Sequence, residues 1–482
     1  MPDPVLFVPG LPASNLRDTS IDKRFFVKPL AGFNNPLFRG PNDPAVDDGV
    51  REDGPIHAAI ELGPIDIAKQ AATLYKKLKK LGIDDPVKFG WDWRRSVYDS
   101  AFNWGARPRL ARAIRDLRQA TGERVTVIVH STGGLALRSC LEADQPLAAS
   151  IRRVIAFGVP WAGTPQSMLY INGQSGFAVV VPPEKAQDII CHSWAAFDLF
   201  PPDPTHLADE NGDPLNLTYR QQGNVRTQAS ALVDTAWINS LPSAALQAAA
   251  NDRTDAAGLH LGVRRPTIDL GGRSLEIVNV AGWGYTTPVA ARLSGAGANG
   301  AMHVEEDRED DTLDGGDGTV PRKSAAWLAG GDNVRVSTYN IPIGVYPHSR
   351  KKVHKALWSN PGSINLLNHL LRGDTLKDFC YAAIDADDWM PGGSAGGSVR
   401  IRCVALDGAG APLDDALVRT LNYDGNVVSR FDPARHGRHL LTLDRSRIPR
   451  SSNGAVRRLR LRIEGVDHGR EVRQTRAFQM GP

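Results

Sequence analysis

Apolar positions along this chain recur in two rhythms, and the alternation between them predicts the fold. Val5-Leu6-Phe7-Val8 is an unbroken apolar run stopped by Pro9-Gly10, the pattern of a short strand buried on both faces. Residues 17–60 are rich in Pro, Gly, Asp and Asn, show neither rhythm and read as a long irregular loop. From Ile65 to Leu81 apolar residues return at helical spacing, with Lys76, Lys77, Lys79 and Lys80 near the end, where cations suit the helix dipole. A strand at Val87-Lys88-Phe89-Gly90-Trp91 and a helix over about 102–120 follow. Next come the β-branched run Val125-Thr126-Val127-Ile128-Val129, a helix from Leu135 to Ala143, and a strand at Val154-Ile155-Ala156-Phe157-Gly158. Strands alternating with helices predict an α/β fold, a mostly parallel sheet with helices on both faces.

The rhythm breaks between Gly163 and about Leu270. Helical pieces such as Glu184 to Leu199 occur there with few strands, among apolar segments including Phe177-Ala178-Val179-Val180-Val181. An insertion of this kind after a sheet strand reads as a helical cap or lid, placed at about 165–270; an ordinary helical subdomain is the alternative. The sheet resumes at Leu275 to Val280. A Gly/Ala-rich, acidic loop spans Ala290 to Gly318, Val334 to Ile341 is a further strand, and Ser363 to Leu371 closes the region as a helix. After the linker Gly392 to Ser398 the rhythm shortens to period two in five segments: Val399 to Ala405, Ala416 to Leu421, Val427 to Phe431, Leu440 to Leu443 and Leu459 to Ile463. They predict a small all-β sandwich of about 85 residues. The expected organisation is a 1–375 α/β domain with its cap and a 395–482 β-sandwich domain.

Composition narrows the classes. A hydrophobic share of 41% and a charged share of 23% over 482 residues are those of a globular protein with a sizeable core. A net charge of +4 gives no reason to expect a nucleic-acid partner, and the alternating strip Arg457-Arg458-Leu459-Arg460-Leu461-Arg462 reads as a solvated strand face. No apolar run is long enough to span a bilayer. The chain enters its first strand without a leader, which points to the cytoplasm. Cys140, Cys191, Cys380 and Cys403 lack metal-ligand spacing and read as free thiols, with one or two disulfides as the alternative. The acidic run from Glu305 to Asp311 raises a calcium site as an alternative, but its spacing does not match an EF-hand loop; the serine chemistry read below needs neither a metal nor an organic cofactor, and none is expected.

The candidate chemistry begins where the run Val125 to Val129 ends in His130-Ser131-Thr132-Gly133-Gly134. Strand, tight turn and helix in this order form a nucleophile elbow, which holds a serine hydroxyl clear of the strand ends. Small residues are needed there because strand and helix nearly touch. Val129 stands where the usual Gly-x-Ser-x-Gly pattern has its first glycine. The candidate base is His354, after the last strand and before the last helix; His348 is its rival, and His130 is expected to pack beside the elbow. The candidate acid is Asp317 in Gly316-Asp317-Gly318, since a loop carboxylate can accept a histidine Nδ1–H and fix its tautomer; a glycine-rich turn is the alternative. The oxyanion hole should combine the Thr132 amide with that of Leu11, because Pro12 cannot donate and Gly10 permits close approach.

Six ordered segments carry a resemblance to a known family. They are Val8-Pro9-Gly10-Leu11, Trp91-Asp92-Trp93-Arg94, the elbow, Pro160-Trp161-Ala162-Gly163-Thr164-Pro165, Gly316-Asp317-Gly318-Thr319-Val320-Pro321, and His354. Over about residues 4–372 the chain resembles the lecithin:cholesterol acyltransferase-like branch of the α/β-hydrolases, which includes bacterial lipases, esterases and phospholipases. The resemblance implies a Ser131–Asp317–His354 triad, with Gly10, Trp93, Arg94 and Trp161 at the substrate; Trp93 and Arg94 take structural or acyl-pocket roles, with simple burial beneath the lid as the alternative. The apolar lid segments point to a hydrophobic or lipid-like ester as partner, with transient contact to an interface through the lid as the alternative. The expected reaction is ester hydrolysis through an acyl-enzyme. Acyl transfer to an alcohol is the near alternative, and a non-catalytic binding protein on a hydrolase scaffold the distant one.

Overall fold

The computed structural model describes residues 3–11, 14–20, 23–25, 47–55, 69–171 (except 85, 102 and 103), 173, 183–202, 207–208, 244, 247–248, 264–294 (except 284 and 286), 301–307, 315–342 and 354–374. Of the C-terminal part it describes 379–384, 398–406, 417–421, 427–430, 432–433, 438–444, 458–467 and 470–479. The segment Phe177 to Val181, the rival His348 and most of the expected cap lie outside these residues.

In chain order the elements are β1 (Val5–Val8), β2 (Ser14–Asp18), β3 (Lys23–Phe25), β4 (Val50–Pro55), α1 (Lys69–Lys80), β5 (Val87–Lys88), α2 (Ala106–Thr121), β6 (Val125–His130), α3 (Thr132–Ala143) and β7 (Ile151–Phe157). Then follow α4 (Gln166–Ile171), α5 (Pro183–Cys191), α6 (Trp194–Phe197), β8 (Leu207–Ala208), β9 (Leu275–Trp283), β10 (Thr287–Ser294), β11 (Ala301–Asp307), α7 (Arg322–Ala325), β12 (Val334–Pro342), a 3-10 turn (His354–Ser359) and α8 (Pro361–Arg372). The C-terminal strands are β13 (Phe379–Ile384), β14 (Ser398–Leu406), β15 (Leu417–Leu421), β16 (Val427–Arg430), β17 (Asp432–Pro433), β18 (Arg438–Asp444), β19 (Arg458–Asp467) and β20 (Arg470–Gln479).

The chain divides into two compact units, residues 1–338 with 354–359, and residues 339–353 with 360–482. The first is built on a six-stranded sheet ordered β12-β9-β7-β6-β1-β5, in which β5, β1, β6, β7 and β9 run parallel. Every residue of β1 and β6 is buried, as strands covered on both faces must be, and their β-branched composition follows from that burial. Helix α2 buries Leu110, Ala111 and Ile114 and ends on Gly122, whose φ of 74° is open to glycine at little cost. Helix α3 is buried from Thr132 to Leu141, which accounts for its small and apolar residues. The second unit holds two four-stranded antiparallel sheets, β13-β14-β18-β17 and β16-β15-β19-β20. Its helix α8 is capped at both ends. The Asn360 side chain accepts the Gly362 N–H at 2.9 Å, and the Gly373 N–H returns to the His369 carbonyl.

Three sequence expectations need correction. The region 17–60 is not wholly irregular, because β2 pairs with β3 and β4 in a small antiparallel sheet. The acidic stretch from Ala290 to Gly318 is not one loop. Ser294 pairs with Ala301 at one end of a β10–β11 hairpin, and Thr287 pairs with Asp307 at the other. Charged residues mask the period-two signal on such an edge hairpin. The helical piece from Glu184 to Leu199 is two helices, α5 and α6, and the Ser193 hydroxyl in the break donates to the Trp93 carbonyl at 2.9 Å. Strands β13 and β20 gave no clear signal in the sequence and complete the two C-terminal sheets.

Candidate active site

Ser131 stands at the junction of β6 and α3 with φ 52° and ψ −134°. Among the described residues it is the one non-glycine with positive φ. Such backbone costs on the order of 1–3 kcal/mol and persists only where the surroundings enforce it. Here they do. The Ser131 N–H donates to the Phe157 carbonyl at 3.0 Å, and the Gly134 N–H donates to the Ser131 carbonyl at 3.0 Å. The small residues of the motif are needed sterically: a Cβ on Gly133 would sit 2.5 Å from the Pro9 carbonyl oxygen, and one on Gly134 would sit 2.4 Å from a Val159 methyl. Val129, by contrast, is fully buried in β6 and pairs with Val8 and Ala156 across the sheet.

The loop after β1 closes over the same serine. A Cβ on Gly10 would lie 2.6 Å from Ser131 Cβ and 3.2 Å from its Oγ, so only glycine allows this approach. Leu11 follows, half-buried against the core. Thr132 opens α3, so its N–H has no intrahelical acceptor. Its Oγ1 is also buried without a hydrogen-bond partner. Trp91 holds the loop from below, its indole N–H donating to the Pro9 carbonyl at 2.9 Å.

Asp317 and His354 meet at the end of β7. His354 Nδ1 lies 2.6 Å from Asp317 Oδ2, the length of a charge-assisted bond in which the ring N–H donates. The other carboxylate oxygen, Oδ1, accepts the N–H groups of Thr319 and Val320 at 3.1 and 2.8 Å. These bonds fix the carboxylate from one side and the histidine tautomer from the other, which leaves Nε2 as the acceptor nitrogen. That nitrogen is buried and has no partner. Gly158, the residue after Phe157, makes room for the pair: a Cβ there would be 2.8 Å from Asp317 Oδ2 and 3.1 Å from His354 Nδ1.

His130, immediately before the serine, lies against the His354 ring at 4.7 Å between centroids, and its Nε2 is 3.3 Å from the His354 carbonyl. Trp358, four residues after His354, packs its ring on His130, Phe7 and Phe157. The histidine segment is thus pinned to β6, β1 and β7 by one aromatic anchor. The sequence reading missed that anchor; its signal was a large apolar residue one helical turn beyond a candidate base.

Trp93, Arg94 and Trp161, nominated at the substrate, are all buried, and each is hydrogen-bonded within the protein. Arg94 forms a two-point ion pair with Asp92, at 2.9 Å through Nε and 2.6 Å through Nη2, and reaches Asp48 at 2.9 Å. The Trp93 indole donates to the Ser14 carbonyl at 3.2 Å. The Trp161 indole donates to Asn279 Oδ1 at 2.9 Å. Beside it, Thr164 Oγ1 bonds the Thr319 carbonyl, and Ser324 Oγ bonds the Gly163 carbonyl, so this segment braces the loop that carries Asp317. Gly10, the fourth residue nominated, is the one set against Ser131.

Comparison with known proteins agrees with the motif set. Residues 33–233 match the family model of lecithin:cholesterol acyltransferase, a span that contains Ser131 and ends before Asp317 and His354. That part of the chain is similar to the lecithin:cholesterol acyltransferase family. No curated protein matches it. Among solved structures, that of the Tle4–Tli4 complex aligns at 14% identity over 70% of this chain and 91% of that one, with a TM-score of 0.41. The mature Bacillus licheniformis lipase BlEst2 aligns at 13% identity over 77% and 92%, with a TM-score of 0.29. Phospholipase PlaB from Legionella pneumophila aligns at 10% identity over 99% and 91%, with a TM-score of 0.27.

Proposed function

We propose that this chain is a serine hydrolase that cleaves carboxylic esters of hydrophobic, lipid-like substrates. The observation that carries the reading is the 2.6 Å Asp317–His354 bond, with an unpartnered His354 Nε2, built beside a serine held at positive φ. His354 Nε2 takes the proton as Ser131 Oγ attacks the ester carbonyl, and Asp317 stabilises the imidazolium. The amides of Leu11 and Thr132 hold the oxyanion, each worth roughly 10²–10³ in turnover. The alcohol leaves with the proton from His354, and water then resolves the acyl-enzyme by the same route. Gly10 borders the reacting carbon, while Trp93, Arg94 and Trp161 act by positioning the surrounding loops. The segment 165–270 serves as a cap over this site, and the two C-terminal sheets pack as an accessory β-sandwich.

The family match favours a second reading, in which an alcohol replaces water as acyl acceptor. The acyl-enzyme is common to both. The test is hydrolysis of nitrophenyl esters of graded chain length by wild type and by Ser131→Ala, with and without an added long-chain alcohol. Ser131-dependent release with longer acyl chains preferred supports the reading, and ester product formed with the alcohol selects transfer. Failure of a fluorophosphonate to label Ser131 in folded protein would leave a binding protein on a hydrolase scaffold.

A further inference from the structure

Thr132 brings two hydrogen-bonding groups to the elbow, and the chemistry above uses only its N–H. The residue is fully buried, and its Oγ1 has no hydrogen-bond partner. His354 Nε2, the proposed proton acceptor, is in the same condition. A buried hydroxyl left unpaired costs the desolvation of the group with nothing returned, whereas an apolar side chain of the same shape carries no such cost. Valine has that shape. The hydroxyl therefore does not serve the stability of the fold.

Helix geometry gives the group its direction. Thr132 is the first residue of α3, one position past the cap held by Ser131. Cα–Cβ bonds in a helix tilt toward its N-terminus, so this side chain leans toward the turn that presents Ser131. The unpaired N–H groups of the first helical turn point out of the same end. A threonine that caps a helix spends its hydroxyl on an amide of that turn. Past the cap, the Thr132 hydroxyl finds neighbouring amides engaged. The Ser131 N–H is given to the Phe157 carbonyl and the Gly134 N–H to the Ser131 carbonyl, both at 3.0 Å. β-Branching leaves the side chain few rotamers, so the hydroxyl is held in place without a protein partner.

We propose that the Thr132 hydroxyl is a third donor to the oxyanion, alongside the N–H groups of Thr132 and Leu11. This role rests on the serine-hydrolase reading above and adds a catalytic residue to it. As Ser131 Oγ bonds to the ester carbon, the carbonyl oxygen takes the negative charge. The Thr132 hydroxyl donates a hydrogen bond to that oxygen and keeps its own proton throughout. In the resting site the donor has no partner, and in the tetrahedral intermediate it gains one. A bond made only at that stage lowers the barrier and leaves the affinity for the ground-state ester unchanged. A donor fixed in advance in a buried site needs no reorganisation when the charge appears.

The experiment compares Thr132→Val, Thr132→Ser and Thr132→Ala in the full chain. Thr132→Val should lower kcat for a soluble nitrophenyl ester by roughly a hundredfold, the loss expected for one oxyanion donor, with KM unchanged. Thr132→Ser keeps the hydroxyl and should recover most of that loss. The urea midpoint of Thr132→Val should equal or exceed that of the wild type, since an unpaired buried hydroxyl has been removed. A fluorophosphonate places its phosphoryl oxygen in the same hole, so labelling of Ser131 should slow in Thr132→Val and return in Thr132→Ser. Wild-type kcat in folded Thr132→Val, a loss confined to KM, or a serine variant as slow as the valine one overturns the proposal. Thr132→Ala removes the hydroxyl without adding volume, and its kcat decides the question in the same way if Thr132→Val does not fold. Ser131→Ala keeps the two readings apart. Wild-type hydrolysis by that variant defeats the serine-hydrolase reading, whereas an inactive Ser131→Ala beside an unimpaired Thr132→Val defeats the third donor alone.

Discussion

The elbow and the Trp91–Arg95 segment are equally buried neighbours with opposite hydrogen-bonding economies. At the elbow, capacity is left unspent: Ser131 is strained, His354 Nε2 has no partner, and the Thr132 N–H opens a helix. In the other segment Trp91, Asp92 and Arg94 are tied down. Trp91 holds the Pro9 carbonyl, Arg94 is clamped by Asp92 and Asp48, and the Arg94 carbonyl accepts the Trp194 N–H at 2.9 Å. Groups proposed to act on a substrate stay available, and groups that hold the site in shape are consumed by the protein. The two kinds of residue look alike in a motif and differ in what they bond.

Four variants test this contrast. Ser131→Ala should lower ester hydrolysis by roughly 10³–10⁶-fold while thermal unfolding stays within a few degrees of wild type. Activity retained with Ala at 131 would remove the distinction. Arg94→Met should do the reverse, destabilising by about 3 kcal/mol because the buried Asp92 loses its two-point partner and keeps only Arg95 at 3.5 Å, with kcat per folded molecule little changed. Urea titration together with active-site labelling separates the two effects, and a large kcat loss at full folding would return Arg94 to the substrate.

The third variant concerns Asp198, which ties α6 to the segment after Arg95 by accepting from Ser96 Oγ at 2.8 Å and the Val97 N–H at 2.9 Å. Burial pushes its carboxyl up to about 6 from an ordinary 3.8, against the lowering effect of those bonds and of Arg264. The folded state therefore holds this proton more tightly than the unfolded chain does. Its stabilising contribution is complete below pH 3.8 and is lost as pH rises through about 6. Relative to Asp198→Asn, the wild type should lose a few kcal/mol between about pH 4 and 7, measured by urea unfolding. Parallel pH profiles for the two proteins would refute this. Asp198 also shows that a displaced pKa alone picks out a supporting group as readily as a catalytic one.

The smallest effect belongs to Trp91→Phe. Loss of the indole bond to Pro9 should cost about 1 kcal/mol of stability. If that bond positions the Leu11 amide, kcat should also fall, by about tenfold, with KM unchanged. A stability loss without a kcat loss would make Trp91 a packing residue only.

The parts of this molecule legible in the sequence are those whose cause is local. The run Val125 to Val129 had to be a strand, and its abrupt end in Ser131-Thr132-Gly133-Gly134 had to be tight, because each glycine there faces backbone or a valine within 2.6 Å of its missing Cβ. Asp317 was legible for a similar reason, since its loop is closed by its own Thr319 and Val320 amides. The bracing role of Arg94 and Trp161 was not, because their partners Asp48 and Asn279 are 46 and 118 residues away in the chain. The β10–β11 hairpin was hidden because acidic residues along β11 mimic a solvated loop. Trp358 escaped notice because its importance lies in which rings surround it, and apolar spacing does not report that.

The order of the pieces along the chain has a consequence for synthesis. Ser131 and Asp317 lie within the continuous 1–338 stretch, whereas His354 returns to that unit on the six-residue segment 354–359, flanked on both sides by residues of the second unit. A ribosome therefore completes Ser131, its turn and Asp317, the proposed nucleophile and acid, before the proposed base exists. In the proposed mechanism, until residue 354 has been added and seated the growing chain has no group to deprotonate Ser131. The base arrives as the late component that arms it.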